Sequence, residues 1–299
     1  MVRTFFAVIL SIFTLPLCAR AEILFEGYSK ILSKDQPIGY VISRYEFDEK
    51  KKQFLSTYFL KSGKGNSELT ESLKAISTDE LAPISYEYTS LVGKSSKTID
   101  AQFKAGTMTA VIKTDGKIQK VDKKIPKGTF LSTFLVYLML KSKDGLRAET
   151  KYEYQAIAEE DAEIRKGEAL VGKEETFNGV KVFKILNTFK DSKFLSYVND
   201  HGEMIGTNAL GLGITTELVA NSADATTGQS FSSTILKTLF GAVPEGKKNV
   251  LAQAQSPSGP VKKVIPVDQG LTIKAPQPTP TPIPTPTPKP PPAKDEKKQ

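Results

Sequence analysis

His201 is the only histidine in the chain and Cys18 the only cysteine, and these two scarcities bound the chemistry before any fold is considered. One histidine cannot supply the paired ligands of a zinc site, and one cysteine cannot form an internal disulfide or a multi-thiolate metal site. His201 lies in Asn199-Asp200-His201-Gly202-Glu203, whose residue types are those of a tight turn. It therefore reads as a turn residue rather than a catalytic base. Carboxylates cluster at Glu159-Glu160-Asp161 and at Glu174-Glu175, but neither cluster has the spaced Asp/Asn/Gly loop that wraps calcium. Both read as solvated strand ends. Gly211-Leu212-Gly213 lacks the lysine and the strand-turn-helix setting of a phosphate loop, and there is no Gly-x-Ser-x-Gly elbow. The residues thus predict a non-enzymatic protein with no catalytic residue, metal site or cofactor.

The elements that carry these residues are arranged around Phe130–Leu140, FLSTFLVYLML. At the helical rise of about 1.5 Å per residue, eleven residues reach about half the thickness of a bilayer core. The run is therefore expected inside protein or over an apolar ligand. Pro126, Gly128 and Thr129 mark its start, and Lys141, Lys143 and Asp144-Gly145 its end, which predicts a short helix. Three roles stay open at this level: a helix between two layers of one domain, a cover over a lipid-like ligand, or a fully buried central strand.

Flanking that run, Ile23 to about Ala220 reads as alternating strands punctuated by turn residues. Hairpins are expected at Ile38–Tyr45 with Phe54–Leu60, Ile84–Leu91 with Thr98–Phe103, and Thr109–Lys113 with Lys117–Val121 about Asp115-Gly116. Two more are expected at Ala169–Thr176 with Val180–Thr188 about Asn178-Gly179, and at Phe194–Val198 with Met204–Thr207. Tyr152–Glu160 is expected to re-enter the sheet after the helix. Consecutive hairpins give antiparallel neighbours, and twist curls a meander this long. The predicted class is mainly β: a strongly curved antiparallel sheet or incomplete barrel wrapping a central apolar helix, with a short C-terminal helix. For the latter, Ser232 and Ser233 cap a face of Ile235, Leu236, Leu239 and Phe240 that ends at Gly241, and it is expected at the sheet edge.

The N-terminus carries an address. Arg3, the apolar Phe5–Leu17 and Ala19-Arg20-Ala21 fit a secretory signal cleaved after Ala21, so 1–21 is read as a signal peptide. Lipidation at Cys18 is the competing reading, but Leu17 stands where a lipoprotein signal takes a small residue. The expected location is periplasmic or secreted. Residues 22–244 form the expected domain, 245–274 a polar linker, and 275–299 a proline-rich disordered tail. From Pro276 to Pro292 a polyproline II rod would reach on the order of 50 Å. Residues 1–21 hold Arg3 and Arg20 and no acid, and 245–299 hold nine lysines against four acids. Of the net charge of +8, only +1 therefore falls on 22–244. That balance excludes a nucleic-acid-binding body in spite of a sequence pI of 9.2.

Gly39-Tyr40, Leu81-Ala82-Pro83-Ile84-Ser85-Tyr86, the Asp115-Gly116 hairpin, the segment near Phe130, and the Asn178-Gly179 and Gly202-Glu203 turns together resemble the bacterial periplasmic domain of unknown function 3108 family. The resemblance covers roughly Glu22–Ala220. It implies a lipoprotein-carrier-like curved sheet with an apolar cavity, and it carries no agreed ligand motif.

The function expected is binding of a lipid or lipidated partner in an apolar groove. Phe130, Phe134 and Leu138 on the central run, and Tyr40, Ile42, Phe59, Tyr86, Tyr154 and Phe183 on the sheet, are the expected lining. The alternative is a structural or assembly factor of the cell envelope acting through its proline-rich tail. The partners expected are a lipid-like ligand or lipoprotein, and a cell-wall or envelope protein at the tail, without nucleic acid and without a membrane span.

Overall fold

The structure is a computed structural model that describes residues 21–63 and 65–255. The expectations about the signal segment, the Cys18 anchor and the proline-rich tail lie outside the described residues. Fifteen strands follow one another: β1 (Glu22–Ser33), β2 (Gln36–Asp48), β3 (Gln53–Ser62), β4 (Leu69–Thr78), β5 (Pro83–Val92), β6 (Ser95–Lys104), β7 (Thr107–Thr114), β8 (Lys117–Lys124), β9 (Phe130–Leu131), β10 (Lys151–Ala158), β11 (Glu163–Phe177), β12 (Val180–Phe189), β13 (Ser192–Val198), β14 (Met204–Ala209) and β15 (Ile214–Val219). Four short helices complete the fold: α1 (Leu135–Lys141), α2 (Ser222–Thr226), α3 (Ser233–Phe240) and α4 (Val250–Gln255).

All fifteen strands form one sheet, in the order β8-β7-β6-β5-β4-β3-β2-β1-β15-β14-β13-β12-β11-β10-β9. Each tight turn sets the register of the next pair. At Asp115-Gly116 and Asn178-Gly179 both central residues have positive φ (48° and 82°, 49° and 75°), the geometry whose twist matches the flanking strands. The two meanders meet where β1 pairs antiparallel with β15. The sheet stays open in its hydrogen bonds, with β8 and β9 as its edges. Side chains span part of that seam: Lys123 Nζ on β8 lies 2.7 Å from Glu163 Oε2 on β11, and Val121, Ile125 and Ile164 pack into the same cluster.

The mid-chain run is the filling of this curl, and it is not one helix. Phe130 and Leu131 pair in parallel with Ala156 and Ile157 of β10, Ser132–Phe134 make a 3-10 turn, and only then does α1 begin. The expected helix start at Thr129 is thus corrected. Pairing with β10 gives the first residues' backbone groups partners, whereas no side chain caps the N-terminus of α1. Tyr137 packs with the β3–β7 cluster that includes Phe54, Leu73, Tyr86, Ile99 and Met108, while Met139 packs with Val171, Ile185 and Val198 of the other meander. Polar contacts fix the turn: Tyr45 Oη donates to Thr133 O at 3.0 Å, and Ser56 Oγ and Thr133 Oγ1 are 2.8 Å apart.

Side-chain alternation then decides what lies on the other face. Tyr45 pairs with Ser56 on the face toward Thr133, so Ile42 and Phe59, which pair with each other three residues away, project from the opposite face. There Tyr40, Ile42 and Phe59 pack with Tyr28, Leu236 and Phe240. The helix α3 is capped as expected, since Ser232 accepts from Ile235 N and Gly241 is left-handed at φ 78°. It docks over β2 and β3, in the middle of the sheet rather than at its edge. Ile235 is 48% exposed, so the buried stripe is Leu236, Leu239 and Phe240.

The expected domain end at Pro244 is also corrected, because residues 245–255 are tied into the fold. Glu26 and Arg44 are both buried, and their ion pair is 2.5 Å long at Nη2. The other oxygen of Glu26 accepts the backbone amides of Glu245 and Gly246 at 2.8 and 2.7 Å, and Arg44 Nη1 donates to Phe240 O at 2.8 Å. Tyr28 Oη donates to Pro244 O, and Asn249 Oδ1 accepts from Leu251 and Ala252 at the start of α4. Removing one member of such a pair leaves the other charged and buried. Glu26→Ala is therefore expected to cost about 3–5 kcal/mol in urea unfolding; a loss under about 1 kcal/mol would contradict this account of the C-terminal strap.

Candidate functional site

Two concave regions flank the central run. The smaller, of about 290 Å³, is polar and lined by Tyr58, Glu71, Leu73, Tyr88, Ser132, Thr133, Glu159 and Glu160. Glu159 directly follows β10, after the buried Ala156-Ile157-Ala158, and is itself only 4% exposed. This corrects its reading as a solvated strand end. One of its oxygens accepts from Ser132 Oγ at 2.5 Å and the other from Thr133 N at 3.1 Å, so the carboxylate latches the 3-10 turn to the end of β10. Burial raises its pKa to about 7, against the lowering effect of these two hydrogen bonds. Burial raises Glu71 as well, while Tyr88 donates to its carboxylate at 2.8 Å. The neighbouring Glu160 and Asp161 pair with Lys190 at 2.7 and 2.9 Å.

The larger region is a cleft of about 1070 Å³ along the outer edge of β10. It exists because β9 is so short. Only Ala156 and Ile157 have a strand partner on that side, and the backbone of Lys151–Gln155 is laddered to β11 alone among the described residues. The opposite wall is formed by Phe130 at the start of the central run and Leu138 near its end, with Ser142, Lys143 and Asp144 of the loop after α1. Phe130, Leu138, Tyr152 and Tyr154 give it an apolar lining. Tyr154 is held by its hydroxyl donating to Asn187 Oδ1 at 2.6 Å, and its ring lies 5.6 Å from Phe130 and 5.9 Å from Phe189. Gly167, opposite Tyr154 in the β10–β11 register, leaves the space the ring occupies, and a Cβ there would strike it. Tyr152 Oη donates to Gly145 O, which ties the loop after α1 to the strand.

The nine expected lining residues are thereby divided. Phe130, Leu138 and Tyr154 line the cleft. Tyr86 and Phe134 lie in the filled interior at 1% and 0% exposure, and Phe183 packs beside Val198 and Ile185. Tyr40, Ile42 and Phe59 are on the outer face beneath α3, one residue out of phase with the face assigned to them. Tyr152 and the lysines of the rim were not among the expected lining; the signal for Tyr152 was its place two residues before Tyr154, on the same face. His201 stands in its turn with a 72% exposed side chain, and its backbone amide donates to Asn199 Oδ1. Leu212, between the two glycines of Gly211-Leu212-Gly213, is 72% exposed at the β14–β15 turn.

The fold defines a class: a mainly β protein built on one large, curled, hydrogen-bond-open antiparallel sheet with a few short helices. No protein-family model and no curated protein matches the chain, so no matching model stands behind the family resemblance carried by its turns. Among solved structures it is similar to a β-barrel-like protein of domain of unknown function DUF1849 from Brucella abortus, at 11% identity and a TM-score of 0.46. That likeness covers 66% of this chain and 97% of the other. No helix of the described residues is long and apolar enough to cross a membrane.

Glu159 gives a pH dependence with a definite sign. Between the ordinary value of 4.5 and about 7 the folded chain holds a proton there that the unfolded chain has released. Its contribution is therefore fully present below 4.5 and lost as pH rises through about 7. Glu71 and Glu203, also raised by burial, act in the same direction. Melting temperature is expected to fall across this window in the wild type and to fall less steeply in Glu159→Gln; parallel slopes in scanning calorimetry would refute the assignment.

Proposed function

We propose that this chain is a non-enzymatic periplasmic envelope protein whose β10 cleft binds the acyl chain of a lipid or of a lipidated partner. The observation that carries this reading is the cleft itself. Its volume of about 1070 Å³ is at the upper end of small-molecule sites, and Phe130, Leu138, Tyr152 and Tyr154 offer an apolar wall on a rigid frame. Tyr86, Phe134 and the cluster around them are buried among side chains, so a ligand is held at the seam beside the central run rather than beneath it. The resemblance to the domain of unknown function 3108 family points to the same carrier-like use. So does the N-terminal address, because cleavage after Ala21 would leave β1 whole from Glu22 onward. His201 stands exposed in its turn, and the carboxylates around Glu159 are spent on latching Ser132 and Thr133 or on pairing with Lys190, which favours binding over catalysis.

The test is uptake by the delipidated mature chain of a fluorescent apolar dye, together with mass spectrometry of what copurifies. Bound acyl species and dye uptake that falls severalfold in Leu138→Glu are expected. A folded sample with no dye uptake and no copurifying amphiphile would reject the carrier reading.

A further inference from the structure

One side of the cleft is a strand edge. β10 is laddered to β11, and in an antiparallel ladder the amide and carbonyl of every second residue point away from that partner. At Ala156 and Ile157 they meet β9, but along Lys151–Gln155, about 17 Å of chain, they meet no strand among the described residues. An acyl chain, with neither donor nor acceptor along its length, would leave them unpaired. An added strand would pair them, and its side chains would alternate between the two faces of the sheet. On one face they would meet Phe130, Leu138, Tyr152 and Tyr154, and on the other Lys151, Glu153 and Gln155. The strand that fits is therefore apolar on one side and polar on the other.

The chain carries such a segment in Val267-Asp268-Gln269-Gly270-Leu271-Thr272-Ile273, which lies outside the described residues. Alternation puts Val267, Leu271 and Ile273 on one face and Asp268, Gly270 and Thr272 on the other. Pro266 and Pro276 bracket it, so every residue within it has an amide to donate. It begins twelve residues after Gln255, where α4 ends, and that length of chain reaches up to about 40 Å. The point of departure is near the cleft. Val250 N, at the start of α4, donates to Glu203 Oε2 at 3.0 Å, and a Cβ on the adjacent Gly202 would lie 2.5 Å from Leu140 Cδ1. The β13–β14 turn thus packs on α1, the helix whose Leu138 lines the cleft, and one helix diameter, about 10 Å, separates the two sides.

From this we infer that Val267–Ile273 adds to β10 as a further strand and covers the cleft in cis. Tethering gives the segment an effective concentration on the order of millimolar, which favours it over the same segment of a second copy or an unrelated peptide. Docking does not require the cleft to be a lipid site. Taken with that reading, which it extends, the segment is the competitor that an acyl chain displaces.

Amide hydrogen exchange on the full mature chain tests this, with L271D/I273D as the variant that would set two carboxylates against Phe130 and Leu138. In the wild type, Val267–Ile273 is expected to exchange at least about tenfold more slowly than an unstructured chain of the same sequence. In the variant that protection should vanish and the cleft-facing amides of Lys151–Gln155 should exchange about tenfold faster, with the β-sheet circular dichroism retained. An unprotected Val267–Ile273 in the wild type would overturn the inference, and so would protection whose loss leaves Lys151–Gln155 unchanged. Protection that grows with protein concentration would overturn the cis assignment in favour of a second copy. Apolar-dye affinity that rises severalfold in the variant would support competition for the cleft. No dye uptake by either chain, with the exchange pattern as expected, would reject the acyl reading and leave the added strand in place.

Discussion

The rest of this molecule depends on one constraint: the concave face of a long, twisted antiparallel sheet is apolar, and something other than water has to fill it. Phe130–Lys141 does so from the inside, touching both meanders at once through Tyr137 and Met139. Burial of large side chains such as Phe134, at 0% exposure, supplies the driving force, at roughly 1.5–3 kcal/mol for each fully buried side chain. Direction comes from polar contacts. Tyr45, Ser56 and Glu159 converge on Ser132 and Thr133 and fix where the filling begins.

That arrangement explains why the accessible space lies where it does. The run spends its first two residues on strand pairing, turns once, and leaves as a two-turn helix, so it covers β10 only at Ala156 and Ile157. The remainder of β10 is an uncovered strand edge, ordinarily a hazard for unwanted pairing. Here it is recessed in a cleft whose rim is charged. On the other face a second filling, α2 and α3 with the Glu26-anchored strap, covers β1 to β3, so the middle of the sheet is packed on both sides. Rigidity at the centre and openness at the seam are consequences of one topology.

Local signals in the sequence carried much of this. Asp115-Gly116 and Asn178-Gly179 turn as their residue types require, and Ser232 and Gly241 bound α3 as capping chemistry dictates. Face assignment failed where it depended on alternation: Gly39-Tyr40-Val41-Ile42 is apolar without a break because both faces of β2 are covered, and a two-sided strand has no phase to read. Polar strands such as β4, LTESLKAIST, and β15, ITTELV, give a weak pattern that pairing alone resolves. The strap was illegible for a different reason. Its order comes from backbone amides meeting a carboxylate more than two hundred positions earlier, and nothing local to Glu245 or Gly246 announces that. Among the cleft residues, Phe130, Leu138 and Tyr154 could be found from their apolar setting, whereas Lys127 and Lys143 reach its lining only through where the loops before β9 and after α1 run.

The most direct measurement of the central claim is a cross-link between the filling and the sheet. Ser56 Oγ and Thr133 Oγ1 are 2.8 Å apart, and with Cys18→Ser the chain has no other thiol, so Ser56→Cys with Thr133→Cys places two thiols alone at that contact. Oxidation of the folded protein is predicted to close a disulfide between them with the β-sheet signal retained. Two thiols that stay free and react with a maleimide in the folded protein would show that the mid-chain run does not sit inside the curl.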